Sequence, residues 1–299
     1  MRLVPALLVL SFMMSGPIFA DTPDEYFHRV NTARNARDLS AAIDGLKRFK
    51  KEYPEEFLTN DLDYLLARLL EDTHDRAEAM AVYAEIHSRR SQLGDHAIWR
   101  MSQIARYSGN FLLERMYLAE LEAFYPDSIL ISAADRRNVQ SLFDSGDNLS
   151  VIATVSRPPA SSSLAARSYS YKGLRYDRLL LGYARLYNGD NAEARAIFEE
   201  TIERTQDPQQ PDGLALEAVR GLDVLDDRTS LSDAEHKRRA WIYQYNRDFN
   251  AARQHYRSIV NDHHSSDAVA EALFQLGRGY FQDNGYSESV LWFERLIEQ

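Results

Sequence analysis

Residues 273–299 read LFQLGRGYFQDNGYSESVLWFERLIEQ, and this stretch decides the fold. Its first half carries four residues at the spacing of one helix face, namely Leu273, Leu276, Gly277 and Tyr280. After an Asp-Asn-Gly turn, its second half carries another such set, namely Tyr286, Ser289, Phe293 and Leu296. Two antiparallel helices approach closely only where small side chains meet, so we expect Gly277 and Ser289 to lie where the helices cross. The stretch therefore predicts a helical hairpin.

The same hairpin pattern recurs upstream at a nearly fixed interval. In each copy one residue takes the place of Ser289, and these residues are Ala42, Ala79, Glu114, Ala194 and Ala252. Ala42 and Ala79 lie 37 positions apart, and Ala252 lies 37 positions before Ser289. Such intervals fit a helix-turn-helix unit of about 34 residues with occasional insertions in its loops. Glu114 replaces the usual small residue, which predicts a wider helix crossing there.

On these residues and intervals, the chain resembles the tetratricopeptide repeat (TPR) family over most of its length. The resemblance implies an all-α fold, namely a right-handed superhelix (α-solenoid) of TPR-like helical hairpins. Two segments fit the pattern less well. Residues 133–155 predict a degenerate hairpin around a Ser-Gly-Asp turn, and residues 214–225 predict a helix without a clear partner.

Residues 1–20 are predicted to be a secretory signal peptide. Arg2 supplies a positive start, residues 3–14 form an apolar run, and Ala20 is the small residue before the expected cleavage site. The sequence contains no cysteine that could carry a lipid after cleavage, so we do not expect a lipoprotein. We therefore predict a periplasmic or secreted protein, and we expect no membrane span in its mature chain.

Proline and serine mark the expected domain boundary. The stretch RPPASSS at residues 157–163 predicts a linker or bend. It separates an N-terminal TPR-like block, residues 21–156, from a C-terminal TPR-like block, residues 164–299.

The sequence stops inside its last repeat. Gln299 lies where the family usually places a closing proline, so we expect Trp292, Phe293 and Leu296 to remain uncovered. We therefore expect the natural protein to continue beyond Gln299. Self-association through this end is the alternative.

Charge and composition argue against several functional classes. The chain has 35 Lys and Arg against 45 Asp and Glu, a formal net charge of -10, so nucleic acid and anionic lipid are poor partners. The eight histidines are scattered, and the adjacent pair His263-His264 is expected in a surface loop. No HExxH motif, GxSxG motif or glycine-rich phosphate loop occurs in the sequence. We therefore predict no catalytic residue, no cofactor and no metal site within these residues.

The most unusual segment is both basic and aromatic. Residues 157–187 hold six Lys and Arg against one Asp, and five tyrosines interleave with them. Tyrosine rings with arginine donors suit a glycan or an acidic peptide. The candidate contact residues for a ligand or partner are Arg167, Lys172, Arg175, Tyr176, Arg178 and Tyr183. The alternative is that the tyrosines lie in the core between repeats and the arginines on a solvated face.

Two functional hypotheses follow from the resemblance. A signal peptide followed by divergent hairpins is similar to the N-terminal superhelix of the soluble lytic murein transglycosylases, which implies a periplasmic scaffold for peptidoglycan strands. Catalysis then needs a domain beyond Gln299, because the Glu288-Ser289 pair is expected at a helix crossing rather than in an active site. The alternative is a stand-alone periplasmic adaptor that holds a protein or peptide in its concave groove during envelope assembly or cell division.

Overall fold

The computed structural model describes residues 22–156, 171–204, 210–262 and 266–299. These residues form sixteen α-helices and one short 3-10 helix, with no β-strand among them. The predicted all-α fold of helical hairpins is therefore confirmed.

The predicted signal peptide and the predicted linker fall on residues that the structure does not describe. The signal peptide, residues 1–20, and the linker, residues 157–163, stay predictions for this reason. Within the described ranges, no helix combines the length and the apolar character needed to cross a membrane.

The chain divides between Ile104 and Ala105 into two compact units. The first unit holds α1 (Pro23–Asn35), α2 (Leu39–Glu52), α3 (Pro54–Thr59), α4 (Leu62–Asp72), α5 (Arg76–Ser88) and most of α6 (Gly94–Tyr107). The described part of the second unit holds α7 (Phe111–Phe124), α8 (Ile131–Asp144), α9 (Asn148–Val155), α10 (Tyr171–Tyr187), α11 (Asn191–Glu203), α12 (Gly213–Leu225), the 3-10 helix (Arg228–Ser230), α13 (Asp233–Tyr245), α14 (Phe249–Asp262), α15 (Ser266–Gln282) and α16 (Tyr286–Ile297).

Seven turns between consecutive helices share one geometry. In each turn one residue has the left-handed backbone conformation, and these residues are Arg37, His74, Gly109, Gly146, Gly189, Arg247 and Asn284. The N–H of the next residue donates to the carbonyl five positions earlier, as from Asp38 to Ala33 O at 2.9 Å. This bond closes the first helix, and in most of these turns the donor residue also caps the second helix with its side chain. The turns predicted at residues 145–147 and 283–285 are therefore confirmed.

The second helix of each hairpin buries the residue four positions after the cap. These buried residues are Ala42, Ala79, Glu114, Val151, Ala194, Ala252 and Ser289. In the last hairpin the Ser289 hydroxyl donates to Gly277 O at 2.8 Å, and a Cβ on Gly277 would lie 2.6 Å from the Phe293 ring. So close an approach requires small residues, and the predicted crossing of Gly277 and Ser289 is confirmed.

Glu114 is the charged exception at these crossings, and its side chain is fully buried. Arg106 Nη1 lies 3.3 Å from one carboxylate oxygen of Glu114, and Arg137 Nε lies 3.8 Å from the other. A buried charge is costly unless it is paired, so the two guanidinium groups make the carboxylate tolerable here. The sequence predicted only a wider crossing and gave no sign of this pairing.

Helix α12 stands between two hairpins without a partner helix of its own, as the sequence predicted. It packs on α10 and α11, and Phe198 of α11 is the centre of this contact. A Cβ on Gly182 of α10 would lie 2.7 Å from the Phe198 ring, and a Cβ on Gly221 of α12 would lie 2.5 Å from it. The two glycines thus let three helices close on one ring, and a single apolar cluster continues from α10 to α16.

The apolar residues that the last hairpin leaves exposed differ from those that the sequence predicts. Trp292, Phe293 and Leu296 were expected to be uncovered, but each is half-buried. Trp292 and Leu296 pack against the α10–α16 cluster, and Phe293 packs against Gly277. That prediction is wrong in its residues. The exposed apolar side chains of this hairpin are instead Phe274, Phe281, Val290, Leu291 and Ile297.

Candidate functional site

The residues predicted to contact a ligand lie in α10 or just before it. Arg167 and the side chain of Lys172 fall outside the described residues. Arg175 is buried, and its Nη2 donates to Asp212 Oδ2 at 2.8 Å and to Thr201 O at 2.9 Å. The expectation of a solvated arginine face is therefore wrong for Arg175, because its guanidinium ties α10 to α11 and to the start of α12.

The three remaining side chains of that set also have partners within the chain. Tyr176 is half-buried against the apolar cluster of α8 and α9, and Arg178 pairs with Glu200. Tyr183 Oη donates to Glu217 O at 2.7 Å, and burial raises the pKa of Tyr183 to about 12. These side chains contact different neighbours within the chain, and their role as ligand contacts stays a prediction.

A pocket of about 270 Å³ lies where α11 ends, α12 begins and α13 passes. Its apolar lining consists of Ile202, Ala215, Trp241, Ile242 and Tyr245. Its polar lining consists of Glu203, Gln210, Asp212, Arg238 and Asn246. A concave apolar surface with a few placed polar groups is the usual form of a binding site, and we call it the α11–α13 pocket.

Two aromatic rings of α13 form one corner of this pocket. Trp241 and Tyr245 lie one helical turn apart, which places them on the same face of α13. Their ring centroids are 5.9 Å apart and the ring planes are nearly perpendicular, at 81°. Both side chains are half-buried, and Trp241 also packs against the α10–α16 cluster. The corner is therefore fixed from behind while part of each ring remains accessible.

The charged groups around the pocket differ in what they already bind. Asp212 accepts two backbone N–H bonds at the start of α12 and the bond from Arg175. Arg238 Nη1 donates to Glu199 Oε2 at 2.8 Å. Glu203 is exposed, and it has no ion-pair partner among the described residues. Among the described residues that line the pocket, Glu203 therefore carries the one charge without an ion-pair partner, a carboxylate.

This pocket was not predicted from the sequence. A signal was nevertheless present, because Trp241, Tyr243 and Tyr245 alternate between two faces of α13. Tyr243 is buried and the other two are not, so one helix carries aromatic residues on its core side and on its open side.

A buried polar network lies on the core side of α13. Asp223 of α12 accepts from Tyr243 Oη at 2.6 Å and from Arg239 Nη1 at 2.8 Å. His255 Nε2 of α14 lies 3.3 Å from the same carboxylate. The other ring nitrogen of His255, Nδ1, lies 2.9 Å from His236 Nδ1, so one imidazole donates an N–H hydrogen bond and the other accepts it. We call these five residues the α12–α14 network.

Electrostatics inside this network favour an ionised Asp223. Burial alone raises the pKa of Asp223, but the hydrogen bonds from His255 and Tyr243 outweigh it and bring the pKa to about 2. Burial and the bond to Asp223 raise the pKa of Tyr243. Arg239 also pairs with Asp226, which Arg195 of α11 contacts as well. Through Asp226 and Arg195 the network is also connected to α11.

The sequence does not indicate this network, because its histidines are scattered along the chain. His236 and His255 lie 19 positions apart, yet both are fully buried. Each occupies a core position of its helix, with Ala240 following His236 and Ala252 preceding His255 on the same face. Full burial keeps both rings away from any solute, so the network is structural. The predicted surface loop with His263-His264 lies outside the described residues.

The described residues hold no group of three or more His, Cys, Asp or Glu side chains arranged to bind a metal ion.

Comparisons with known proteins give similarities of structure. No family model matches the sequence, and no curated protein matches it. A tetratricopeptide repeat protein from Parabacteroides merdae aligns with 92% of this chain and 92% of its own, at 12% identity and a TM-score of 0.47. The TPR2AB domain of yeast Sti1, in its complex with pHSP90, aligns with 89% of this chain and 98% of its own, at 11% identity and a TM-score of 0.30.

BtubC (BKLC) from P. vanneervenii aligns with 93% of this chain and 91% of its own, at 12% identity and a TM-score of 0.22. The TPR-like character of the present chain rests on its own hairpins. The TPR-like fold is supported by the set of seven equivalent turns, together with the buried residue at the helix crossing that follows each turn.

Proposed function

We propose that this chain is a binding scaffold that holds a segment of a partner protein in the α11–α13 pocket. The main observation behind the proposal is the aromatic corner of Trp241 and Tyr245. Both rings are partly exposed in a pocket that residues of α11, α12 and α13 line. Helical hairpin arrays bind through surfaces built from successive helices, and aromatic side chains dominate the binding energy of such contacts.

The pocket is preformed, which supports binding rather than folding as its role. Asp212 caps α12, and its pair with Arg175 fixes the start of α12 against α10. The α12–α14 network holds α13 from the opposite side. A site whose walls are fixed before binding loses little conformational entropy when a partner enters it.

Panning a displayed peptide library against the full chain tests this function. We expect enriched peptides whose binding falls about tenfold or more in Trp241→Ala, as for a central aromatic contact. Trp292→Ala is the matched control, because Trp292 is also half-buried against the same cluster but lies on α16. No enrichment, or binding that is indifferent to Trp241→Ala and lost in Trp292→Ala, contradicts the proposal.

We also propose that the protein is exported to the periplasm or secreted. Support comes from the sequence alone, from Arg2, the apolar residues 3–14 and the small residue Ala20. N-terminal sequencing of the protein purified from its own cells is expected to begin at Asp21. A mature chain that starts at Met1 contradicts this proposal.

A sharper form of the proposal gives the scaffold a place in peptidoglycan processing. Its support is the similarity of order, signal peptide followed by divergent hairpins, to the N-terminal part of the soluble lytic murein transglycosylases. If the reading frame extends past Gln299, we expect the longer protein to release muropeptides from purified peptidoglycan and residues 21–299 not to do so. A stand-alone envelope adaptor is the alternative, and a reading frame that closes soon after Gln299 with no muropeptide release favours it.

A further inference from the structure

We propose that the α11–α13 pocket recognises a cationic side chain, lysine or arginine, in the segment that it binds. The aliphatic stem lies against Trp241 and Tyr245, and the cationic group pairs with Glu203. This inference rests on the proposed function, because it names the chemistry of the partner that the same pocket takes.

The first argument is that some charged groups of the pocket already have an ion-pair partner and one does not. Asp212 is saturated by Arg175 and by the N–H groups of α12, and Arg238 is paired with Glu199. Glu203 remains without an ion-pair partner in the described part of the chain. An incoming cation can bind Glu203 without breaking any existing pair. An incoming anion would have to take Arg238 from Glu199.

The second argument is the position of Glu203 in its helix. It is the last residue of α11, and Ile202 beside it also lines the pocket. The last carbonyl groups of a helix carry partial negative charge, which attracts cations over the final turn. The carboxylate and the helix end therefore act in the same direction on the same space.

The third argument is the aromatic corner. A cation within about 6 Å of a tryptophan or tyrosine ring is attracted by the negative face of that ring. The same chain uses this contact elsewhere, since the guanidinium carbon of Arg253 lies 4.6 Å from the Tyr280 ring centre and that of Arg295 lies 4.8 Å from the Trp292 ring. Trp241 and Tyr245 offer two such rings at right angles. Lysine and arginine also bury their apolar stems against such surfaces.

The fourth argument is the charge of the whole chain. The formal net charge is -10, so a basic segment is attracted over a distance of about 10 Å at about 0.1 M salt before it reaches the pocket. An acidic segment meets repulsion at the same range.

Four blocked pentapeptides provide the test: acetyl-GGXGG-amide with X as lysine, arginine, norleucine or glutamate. Each is titrated into the full chain labelled with ¹⁵N, and the indole N–H signal of Trp241, assigned by its loss in Trp241→Phe, reports binding. We expect the lysine and arginine peptides to shift this signal and to bind at least about fivefold more tightly than the norleucine peptide, in keeping with a desolvated cation–π contact and one ion pair.

Glu203→Gln keeps the size of the side chain and removes its charge. We expect it to weaken the lysine peptide about threefold to tenfold and to leave the norleucine peptide unchanged, since only the ion pair is lost. Glu294→Gln, at an exposed acid on α16, is the control and is expected to change neither.

The outcomes separate the two proposals. Equal binding of the norleucine and lysine peptides at Trp241, or tighter binding of the glutamate peptide, overturns the cation inference and leaves the pocket as a binding site. Unaltered lysine binding in Glu203→Gln also overturns it. A Trp241 signal that moves with none of the four peptides overturns the inference, whereas the proposed function is decided separately by the panning experiment.

Discussion

The two faces of α13 show opposite uses of polar side chains. On the core face, Arg239 and Tyr243 saturate Asp223 within a buried network. On the open face, Trp241 and Tyr245 border a pocket whose carboxylate, on Glu203, has no ion-pair partner among the described residues. A saturated group stabilises the fold and has nothing left to offer a ligand, whereas an unsaturated one contributes little to stability and is available for binding. One helix thus separates stability from recognition by its two sides.

The neighbouring arginines of α13 give the sharpest way to break this comparison. Arg239→Ala leaves Asp223 and Asp226 buried without their shared partner, so we expect the free energy of unfolding to fall by about 3–5 kcal/mol. Arg238→Ala removes an exposed pair with Glu199 and should cost less than about 1 kcal/mol. Urea denaturation of both variants measures the difference. Equal losses for Arg238→Ala and Arg239→Ala would show that the two faces do not differ in this way.

Acid titration sharpens the same contrast through Asp223. Its pKa is lowered from the usual 3.8 to about 2 in the folded chain. A lowered carboxyl pKa adds stability above the unfolded value and loses it as the pH falls through the folded value. The stability of the native protein should therefore drop by about 2 kcal/mol more between pH 5 and pH 2 than that of Asp223→Asn. Parallel pH profiles of the two proteins would contradict the network geometry.

The tyrosines of α13 give the smallest expected effect. Tyr243→Phe removes the hydroxyl that donates to Asp223, and we expect a loss of about 1–2 kcal/mol in the free energy of unfolding. Tyr245→Phe, on the pocket face, should change stability by less than about 0.5 kcal/mol. Thermal unfolding compares the pair, and the idea of two distinct faces fails if Tyr245→Phe is the more harmful change.

The hairpins could be predicted from the sequence because each depends on residues close together in the chain. The turn at Asp38 and the crossing residue Ala42 lie four positions apart, and the same short unit repeats. Local spacing therefore gave the turns, the crossings and the unpartnered helix α12.

The pocket and the network could not be predicted in this way, because both combine distant segments. Arg175 is paired with Asp212, 37 positions later, and no local pattern indicates that partner. Asp223 and His255 lie 32 positions apart. Which polar side chain is buried and which remains open depends on how α12 packs beside Phe198, and that depends on two glycines in different helices.

The seven equivalent turns also imply that the hairpins are unequally secured. Gly109, Gly146 and Gly189 adopt the left-handed conformation without steric cost, whereas Arg37, His74 and Arg247 carry a Cβ that opposes it by about 1 kcal/mol. Each of these three turns stores that energy as local strain. We expect the two helices at such a turn to separate at a lower free-energy cost than the two helices at a glycine turn. We therefore expect a protease to cleave more readily at the turns of Arg37, His74 and Arg247 than at the glycine turns.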